Sequence, residues 1–214
     1  MEEIKKIKNK HDFNSAMIGM ILFDGSMPSE KFLYLRHGGN QLHYVDEKIE
    51  FIKDYLRPTS LKTNIDKNGY LYRYAYFNTE ELKFLYRDIY INGEKRLTKN
   101  ILNRFTDLTL AIMYMDDGSL VLHKDPKRPN EYHSREIYLA VHSFSKKEVE
   151  SLQKLLKDKW DLNFRISQEK SGYRLCCNGT NAIKFCSIIA PWVKNFPTML
   201  YKLDFKYKKK KLPF

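Results

Sequence analysis

Two apolar runs, each followed by an acidic residue and a glycine, dominate the hydrophobic pattern of this chain. The first run is MIGMILF at 17–23 and the second is LAIMYM at 110–115. Because neither run contains a charged residue or a regular polar position, each predicts a helix that is buried on all sides. Asp-Gly-Ser follows both runs, and the two aspartates, Asp24 and Asp117, lie 93 positions apart. The chain therefore contains an internal repeat.

The second helix has recognisable ends. Thr106 is a predicted N-cap, and Gly118 is predicted to be the left-handed residue at which the helix ends. Asp116 and Asp117 then lie at the C-terminal end of the helix, where the helix dipole disfavours negative charge. Local conflicts of this kind are expected at functional sites.

The elements that follow each run also match in order. The matching segments are 32–37 with 137–142 (strands), 47–56 with 147–156 (amphipathic helices), 67–70 with 170–173 (turns leading into strands) and 79–90 with 180–190 (helices). This order predicts an α+β protein of two αββαββα units related by a pseudo-twofold axis. We predict halves at 1–95 and 96–205, packed together through a link at 92–106, and a solvated basic tail at 206–214.

Charge and composition narrow the class of partner. The formal net charge is +12 and the pI is near 9.4, which favours a nucleic acid or a membrane surface. The three cysteines, Cys176, Cys177 and Cys186, predict neither a disulfide framework nor a zinc site. The charged N-terminus and the lack of a long apolar stretch predict an intracellular protein, in the cytoplasm or nucleoid or in an organelle matrix.

The repeated helices also predict a reactive centre. Gly19 and Ala111 are small enough to let the two helices pack closely, which would bring Asp24 and Asp117 together. Two adjacent carboxylates repel each other unless they are protonated or bridged by cations. Mg²⁺ prefers such oxygen ligands and completes its coordination with water and phosphate oxygens. The pattern therefore indicates metal-assisted phosphodiester hydrolysis.

LAIMYMDDG and MIGMILFDG resemble the two nonapeptide motifs of the LAGLIDADG homing endonucleases in their single-chain form. The similarity extends over the strand and helix order after each motif and over PTMLYKL at 197–203. The resemblance implies a fold in which the motif helices form the central interface and two antiparallel sheets form a saddle over the DNA major groove. It also implies a monomer that binds double-stranded DNA.

The resemblance also implies roles for individual residues. Asp24 and Asp117 match the metal-binding acids, with Mg²⁺ as the cofactor and Mn²⁺ as a substitute. Lys202 matches the basic residue of the second active centre, and Lys95 matches that of the first, with Arg96 as the alternative. Asp116 has no assigned role. The first motif departs from the pattern at Leu22 and Phe23, where an acidic and a small residue are common.

Strand alternation predicts which side chains face DNA. In 70–77 the tyrosines share one face, and we assign the opposite face, with Arg73, to DNA. The predicted DNA-binding residues are Lys62, Asn64, Arg73, Asn163, Arg165, Ser167 and Arg174. Arg and Asn make the commonest base contacts in the major groove. His37 and His142, at matching strand ends, are interpreted as structural or solvent-facing.

These features predict a site-specific, divalent-metal-dependent homing endonuclease that cuts both strands of a long asymmetric DNA target and is associated with an intron or intein. Two alternatives stay open. One is an intron maturase that binds RNA and assists splicing. The other is a DNA-binding regulator of the same fold that has lost nuclease activity.

Overall fold

The computed structural model describes residues 5–125 and 127–204; the side chains of 124, 125 and 128–134 are outside this description. The predicted tail at 206–214 lies outside the described residues. The first half contains, in order, α1 (Lys10–Leu22), β1 (Ser26–Ser29), β2 (Phe32–Gly38), α2 (Tyr44–Ile52), β3 (Ser60–Ile65), β4 (Leu71–Asn78) and α3 (Lys83–Ile89).

The second half repeats this order. Its elements are α5 (Asp107–Asp117), β7 (Gly118–Asp125), β8 (Arg128–Ala140), α6 (Lys146–Trp160), β9 (Arg165–Glu169), β10 (Gly172–Asn178), α7 (Gly179–Val193) and a 3₁₀ helix at Pro197–Leu203. Between the halves lie the hairpin β5 (Tyr90–Ile91) and β6 (Glu94–Lys95) and the short helix α4 (Lys99–Asn103). The predicted boundary after residue 95 falls between β6 and α4.

The two main sheets have the same topology. One has the strand order β1-β2-β4-β3 and the other β7-β8-β10-β9, and all pairs are antiparallel. The predicted α+β class, with two αββαββα units, is confirmed.

The motif helices α1 and α5 pack against each other in the centre of the molecule. A Cβ atom added at Gly19 would lie 2.9 Å from Cβ of Ile112, so a larger residue would force the helices apart. The Thr109 hydroxyl donates a hydrogen bond of 3.1 Å to the carbonyl of Ser15, across the helix pair. Met17, Ile21, Ala111 and Met115 are among the residues of both helices that have no exposed surface.

The predicted N-cap of α5 is confirmed. The prediction that Gly118 has a left-handed backbone is wrong. Thr106 is the N-cap, with its side chain accepting from the backbone N–H of Thr109. Gly118 has extended backbone, with φ −94° and ψ 157°, and opens β7 directly. Glycine is needed there because a Cβ atom would lie 2.5 Å from the carbonyl oxygen of Tyr114. A close approach, not a left-handed turn, accounts for this glycine.

The link between the halves is packed, as predicted. Leu97, Ile101, Leu102 and Phe105 are all buried in the common core. The three cysteines are buried and free. Within residues 5–125 and 127–204, no helix has both the length and the apolar character that a bilayer span requires.

The predicted pairing of 32–37 with 137–142 is wrong by one residue. Ser26, which follows the first motif, lies opposite Tyr34, and Ser119, which follows the second, lies opposite Tyr138. Tyr34 and Tyr138 are therefore equivalent positions, and so are His37 and Val141, three residues further on. Since side chains alternate along a strand, a one-residue slip moves every side chain to the opposite face.

Candidate active site and nucleic-acid interface

The two motif acids lie at the C-terminal ends of the packed helices. Asp24 follows α1 directly and Asp117 is the last residue of α5. Burial and the neighbouring Asp116 carboxylate raise the pKa of Asp24 to about 6. Burial and the carboxylates of Asp24 and Asp116 raise the pKa of Asp117 to about 7. The helix ends therefore concentrate negative charge in partly buried surroundings, although the Asp24 side chain keeps 32% exposure.

A lysine reaches each of these helix ends, and it is half-buried in the first half and buried in the second. The Lys95 ammonium, on β6, donates to the carbonyls of Leu22 (3.3 Å), Phe23 (2.9 Å) and Gly25 (2.6 Å). The Lys202 ammonium, on the C-terminal 3₁₀ helix, donates to the carbonyls of Tyr114 (3.2 Å), Met115 and Gly118 (2.9 Å). These carbonyls lie in the last turn of each motif helix or just beyond it, where helix carbonyls lack the full set of internal partners. Each motif helix therefore has a positive charge beside its acidic end.

Lys95, and not Arg96, lies at the end of α1. The Arg96 guanidinium points elsewhere and pairs with Glu148 of α6 at 3.0 Å. Burial lowers the pKa of both Lys95 and Lys202, while the nearby aspartates act in the opposite direction. The structure therefore brings Asp24, Asp117, Lys95 and Lys202 together.

Asp116 belongs to a buried polar network with residues of the first half. Its carboxylate accepts from the Lys48 ammonium at 2.7 Å and from the Tyr44 hydroxyl at 2.9 Å. The side chains of Lys48 and Asp116 both have 0% exposure. The Lys48 ammonium also lies 2.9 Å from Nε2 of His37. The residue without a predicted role thus joins α5 to the first half.

His37 connects this network to Asp24. Its Nδ1 lies 3.6 Å from a carboxylate oxygen of Asp24. Burial and the Lys48 ammonium lower the pKa of His37 to about 2, so the imidazole is neutral at physiological pH. Lys48 and His37 are not among the predicted site residues. One signal was available: Lys48 lies on the apolar stripe of α2, three residues after Val45 and four before Ile52.

Asp24 and Asp117 remain the predicted ligands of a divalent metal. Within residues 5–125 and 127–204, no hydrogen bond or ion pair engages the Asp117 carboxylate, which leaves its oxygens available as hard ligands. Asp24, His37 and Asp116 offer ligand atoms within 4.8 Å of one another. In this group of three residues the Lys48 ammonium already contacts His37 and Asp116, so it takes the place that a cation would have there.

The face of the first sheet that α2 does not cover carries polar and aromatic side chains. Lys62 lies opposite Tyr74 and Asn64 opposite Tyr72, so these residues share that face. The amide of Asn64 donates to the Tyr74 hydroxyl at 3.3 Å. Tyr72 and Tyr74, which are predicted to face away from DNA, therefore lie on the same face as Lys62 and Asn64.

The prediction that Arg73 faces DNA is wrong. Arg73 shares its face with Ala75 and Phe77, which are fully buried, and its guanidinium pairs with Asp46 of α2 at 2.8 Å. The one-residue slip explains the error: Arg174 is equivalent to Tyr74, since Tyr74 lies opposite Arg36 on β2 and Arg174 lies opposite Ala140 on β8.

The second sheet presents its predicted residues on its uncovered face. Arg174 lies opposite Ser167, and Arg165 lies opposite Cys176 on the same face as Arg174. Arg174 pairs with Glu169 at 2.7 Å and lies 4.2 Å from the centre of the Tyr138 ring. Arg165 pairs with Glu136. Asn163 is exposed just before β9. Both arginines are thus held by acidic partners on the open face.

The chain matches the family model described as the LAGLIDADG DNA endonuclease family over residues 14–185. It belongs to this family. Its fold is similar to that of the homing endonuclease I-WcaI bound to its DNA recognition sequence, with a TM-score of 0.76, 21% identity and coverage of 96% of this chain and 89% of that chain. It also resembles full-length DUF199/WhiA from Thermatoga maritima, with a TM-score of 0.57, 14% identity and coverage of 94% and 63%.

Two kinds of curated protein are similar in sequence. Protein RecA of Mycolicibacterium fallax is 29% identical over 171 residues, which cover 78% of this chain and 39% of that protein. The cytochrome b mRNA maturase bI2 of Debaryomyces hansenii is 25% identical over 191 residues, covering 86% of this chain and 63% of that protein. The chain thus spans about two fifths of the length of this RecA relative.

Proposed function

We propose that this protein is a site-specific homing endonuclease that hydrolyses both strands of a long, asymmetric double-stranded DNA target. The observation that carries the proposal is the meeting of Asp24 and Asp117, one from each half, at the ends of the packed motif helices. Burial raises the pKa of both acids, and neighbouring carboxylates raise it further, which is the electrostatic setting that a bound cation would relieve. Family membership supports the same activity.

Asp24 and Asp117 are the residues that would hold Mg²⁺, with Mn²⁺ as a substitute. The metal would supply an activated water and charge stabilisation at the leaving oxygen. Lys95 and Lys202 use their three N–H groups on helix carbonyls, so we assign them an electrostatic role. They hold each acid at the end of its helix and place positive charge where negative charge develops on the phosphate.

The open faces of the two sheets would bind the DNA major groove, which admits β-ribbons. The candidate contact residues are Lys62 and Asn64 in the first half and Asn163, Arg165, Ser167 and Arg174 in the second. Arg73 is not among them, because it holds α2 against the sheet. We infer a monomer, since the single chain supplies both halves of the site.

An intron or intein association is part of the proposal. The two groups of relatives, RecA proteins and cytochrome b mRNA maturases, have unrelated names but share this unit. The unit covers only part of each relative's length. This distribution is expected for a module that is carried inside different host genes.

The activity is tested by selecting cleaved sites from a randomised duplex library in Mg²⁺. The wild type should enrich one long asymmetric site, and Asp117→Asn should bind that site with similar affinity but not cut it. The proposal fails if Asp117→Asn cuts at the wild-type rate, or if the wild type enriches no site.

The maturase relatives favour one second candidate, an RNA-splicing function. A maturase without nuclease activity would bind its intron RNA tightly and would show no Mg²⁺-dependent cutting of the DNA at the insertion site. Binding of the DNA without cutting, with both acids present, would instead indicate a regulator of the same fold.

A further inference from the structure

The two halves differ at one set of equivalent buried positions. Asp116 and Phe23 are equivalent, because each directly precedes the motif aspartate. His37 and Val141 are equivalent by strand register. Lys48 and Leu152 are equivalent by helix position, since each lies three residues after a fully buried valine and four before a fully buried Ile or Leu.

At these positions the first half has polar or charged side chains and the second half has apolar ones, except that Phe23 and Asp116 are contributed by the opposite halves. His37, Lys48 and Asp116 form one hydrogen-bonded network, and two of its three side chains have no exposed surface. Their counterparts Val141, Leu152 and Phe23 are apolar and belong to the core. An apolar core was therefore a feasible solution at these positions, and in the first half a buried ion pair is present instead. Buried ion pairs are seldom favoured for stability alone.

The network fixes the protonation of His37. A lysine ammonium can only donate hydrogen bonds, so Nε2 of His37 must accept from Lys48. In a neutral imidazole the proton then lies on Nδ1, which faces the Asp24 carboxylate at 3.6 Å. The N–H therefore lies beside a carboxylate that we assign to the metal, at a distance just beyond hydrogen-bond length. A hydrogen bond formed there would orient the ligand. The Asp117 carboxylate has only Val141 at the equivalent position.

We propose that His37 is a positioning residue for Asp24, held in its Nδ1–H form by Lys48 and Asp116, and that the two acids therefore contribute unequally to cutting the two DNA strands. This inference rests on the proposed endonuclease function. The Asp24 carboxylate has this imidazole N–H beside it, whereas Asp117 has Val141 at the equivalent position, so the two strands should respond differently to loss of the network.

The first test measures the nicking rate of each strand separately. The substrate is the duplex selected with the wild type, labelled differently on its two strands and cut in a single turnover with Mg²⁺. His37→Val should change the ratio of the two rates by about 10- to 100-fold, the usual effect of losing a partner of a metal ligand. His37→Asn keeps a side-chain N–H at the position of Nδ1 and should restore most of the wild-type ratio.

Two further variants separate positioning from stability. Val141→Ala, at the equivalent position of the second half, removes core contacts and should leave the ratio of strand rates unchanged. The triple variant His37→Val, Lys48→Leu, Asp116→Phe copies the second half and should fold stably while showing the altered ratio. A wild-type ratio in both His37→Val and the triple variant would overturn the positioning role and leave the endonuclease proposal standing.

The second test needs no activity. In ¹⁵N-histidine NMR spectra of the free protein, the signal assigned through its loss in His37→Asn should show protonated Nδ1 and unprotonated Nε2. The Lys48→Leu, Asp116→Phe variant should release this preference. A wild type with Nε2 protonated would overturn the inference directly. If the wild type cuts no DNA, the proposed function fails and the positioning role fails with it, even where the Nδ1–H form is found.

Discussion

The ends of the two motif helices are alike, whereas the surroundings of those ends differ. At both ends one lysine donates to three carbonyls, Lys95 in the first half and Lys202 in the second. Beside the ends, the first half uses His37 and Lys48 where the second uses Val141 and Leu152. The acid and its lysine are present twice, and the residues that support them have diverged.

The comparison also explains how two acids are tolerated at helix C-termini. The dipole disfavours a carboxylate there, but an ammonium that caps the same carbonyls offsets the charge. The lysine in each half comes from beyond the last long helix of that half, and so it reaches the helix end only when the whole half has folded. The acidic helix ends are therefore compatible with the fold only as part of the complete unit.

The largest effect on stability is expected for Lys48 and Asp116, whose equivalents in the other half are apolar or aromatic. Lys48→Leu alone leaves the buried Asp116 carboxylate without its cation and should lower the free energy of unfolding by about 3–5 kcal/mol. The double variant Lys48→Leu, Asp116→Phe removes both charges and should recover most of that loss. Urea unfolding of the two variants measures the difference. Equal destabilisation in both would mean that packing, and not charge, dominates here.

Lys95 and Lys202 lie at equivalent helix ends, so their substitution should lower stability by similar amounts. Lys95→Met and Lys202→Met each leave three helix carbonyls without their donor, and we expect each to cost about 2–3 kcal/mol. Thermal unfolding of the two variants at equal ionic strength makes the comparison. A loss in one variant and none in the other would contradict the equivalence of the two helix ends.

We expect residues of the second sheet to determine base preference and the lysines of the tail to contribute binding that does not depend on sequence. Arg165→Ala or Arg174→Ala should relax base preference at one or two positions, at a cost of about 1–3 kcal/mol for the preferred base. Neutralising the four lysines at 208–211 should weaken binding on all sequences alike and reduce its salt dependence. Competitive binding to a library of single-base variants distinguishes the two, and a tail variant with altered base preference would refute this division.

The smallest effect is a gain in stability from removing an acid. Because the pKa of Asp117 is raised to about 7, the folded protein above that pH carries this charge at a cost in stability relative to the unfolded chain. Without metal, Asp117→Asn should therefore raise the melting temperature at pH 8 by about 2–4 °C, for about 1 kcal/mol. The gain should be smaller at pH 5, where Asp117 is protonated in the folded protein but charged in the unfolded chain. An equal gain at both pH values would exclude charge as its cause.

The repeat in the sequence predicted the fold because both halves carry the same order of periodic segments. Strand register was not predictable from that order, and an error of one residue placed Arg73 on the wrong face. The role of Asp116 could not be predicted either, since its partners Lys48 and Tyr44 lie about 70 residues away and in the other half. Lys95 and Lys202 were identified only through the family resemblance, because in sequence they look like surface lysines.

The most direct test of the central claim is a crystal structure of the protein with its selected DNA duplex and Mn²⁺, with data collected at the manganese absorption edge. Anomalous density should lie between the carboxylates of Asp24 and Asp117 and a phosphate of the duplex, and it should weaken or disappear in Asp117→Asn. Anomalous density at His37 and Asp116 instead, with none at Asp117, would contradict the claim that the acids at the ends of the two motif helices hold the metal.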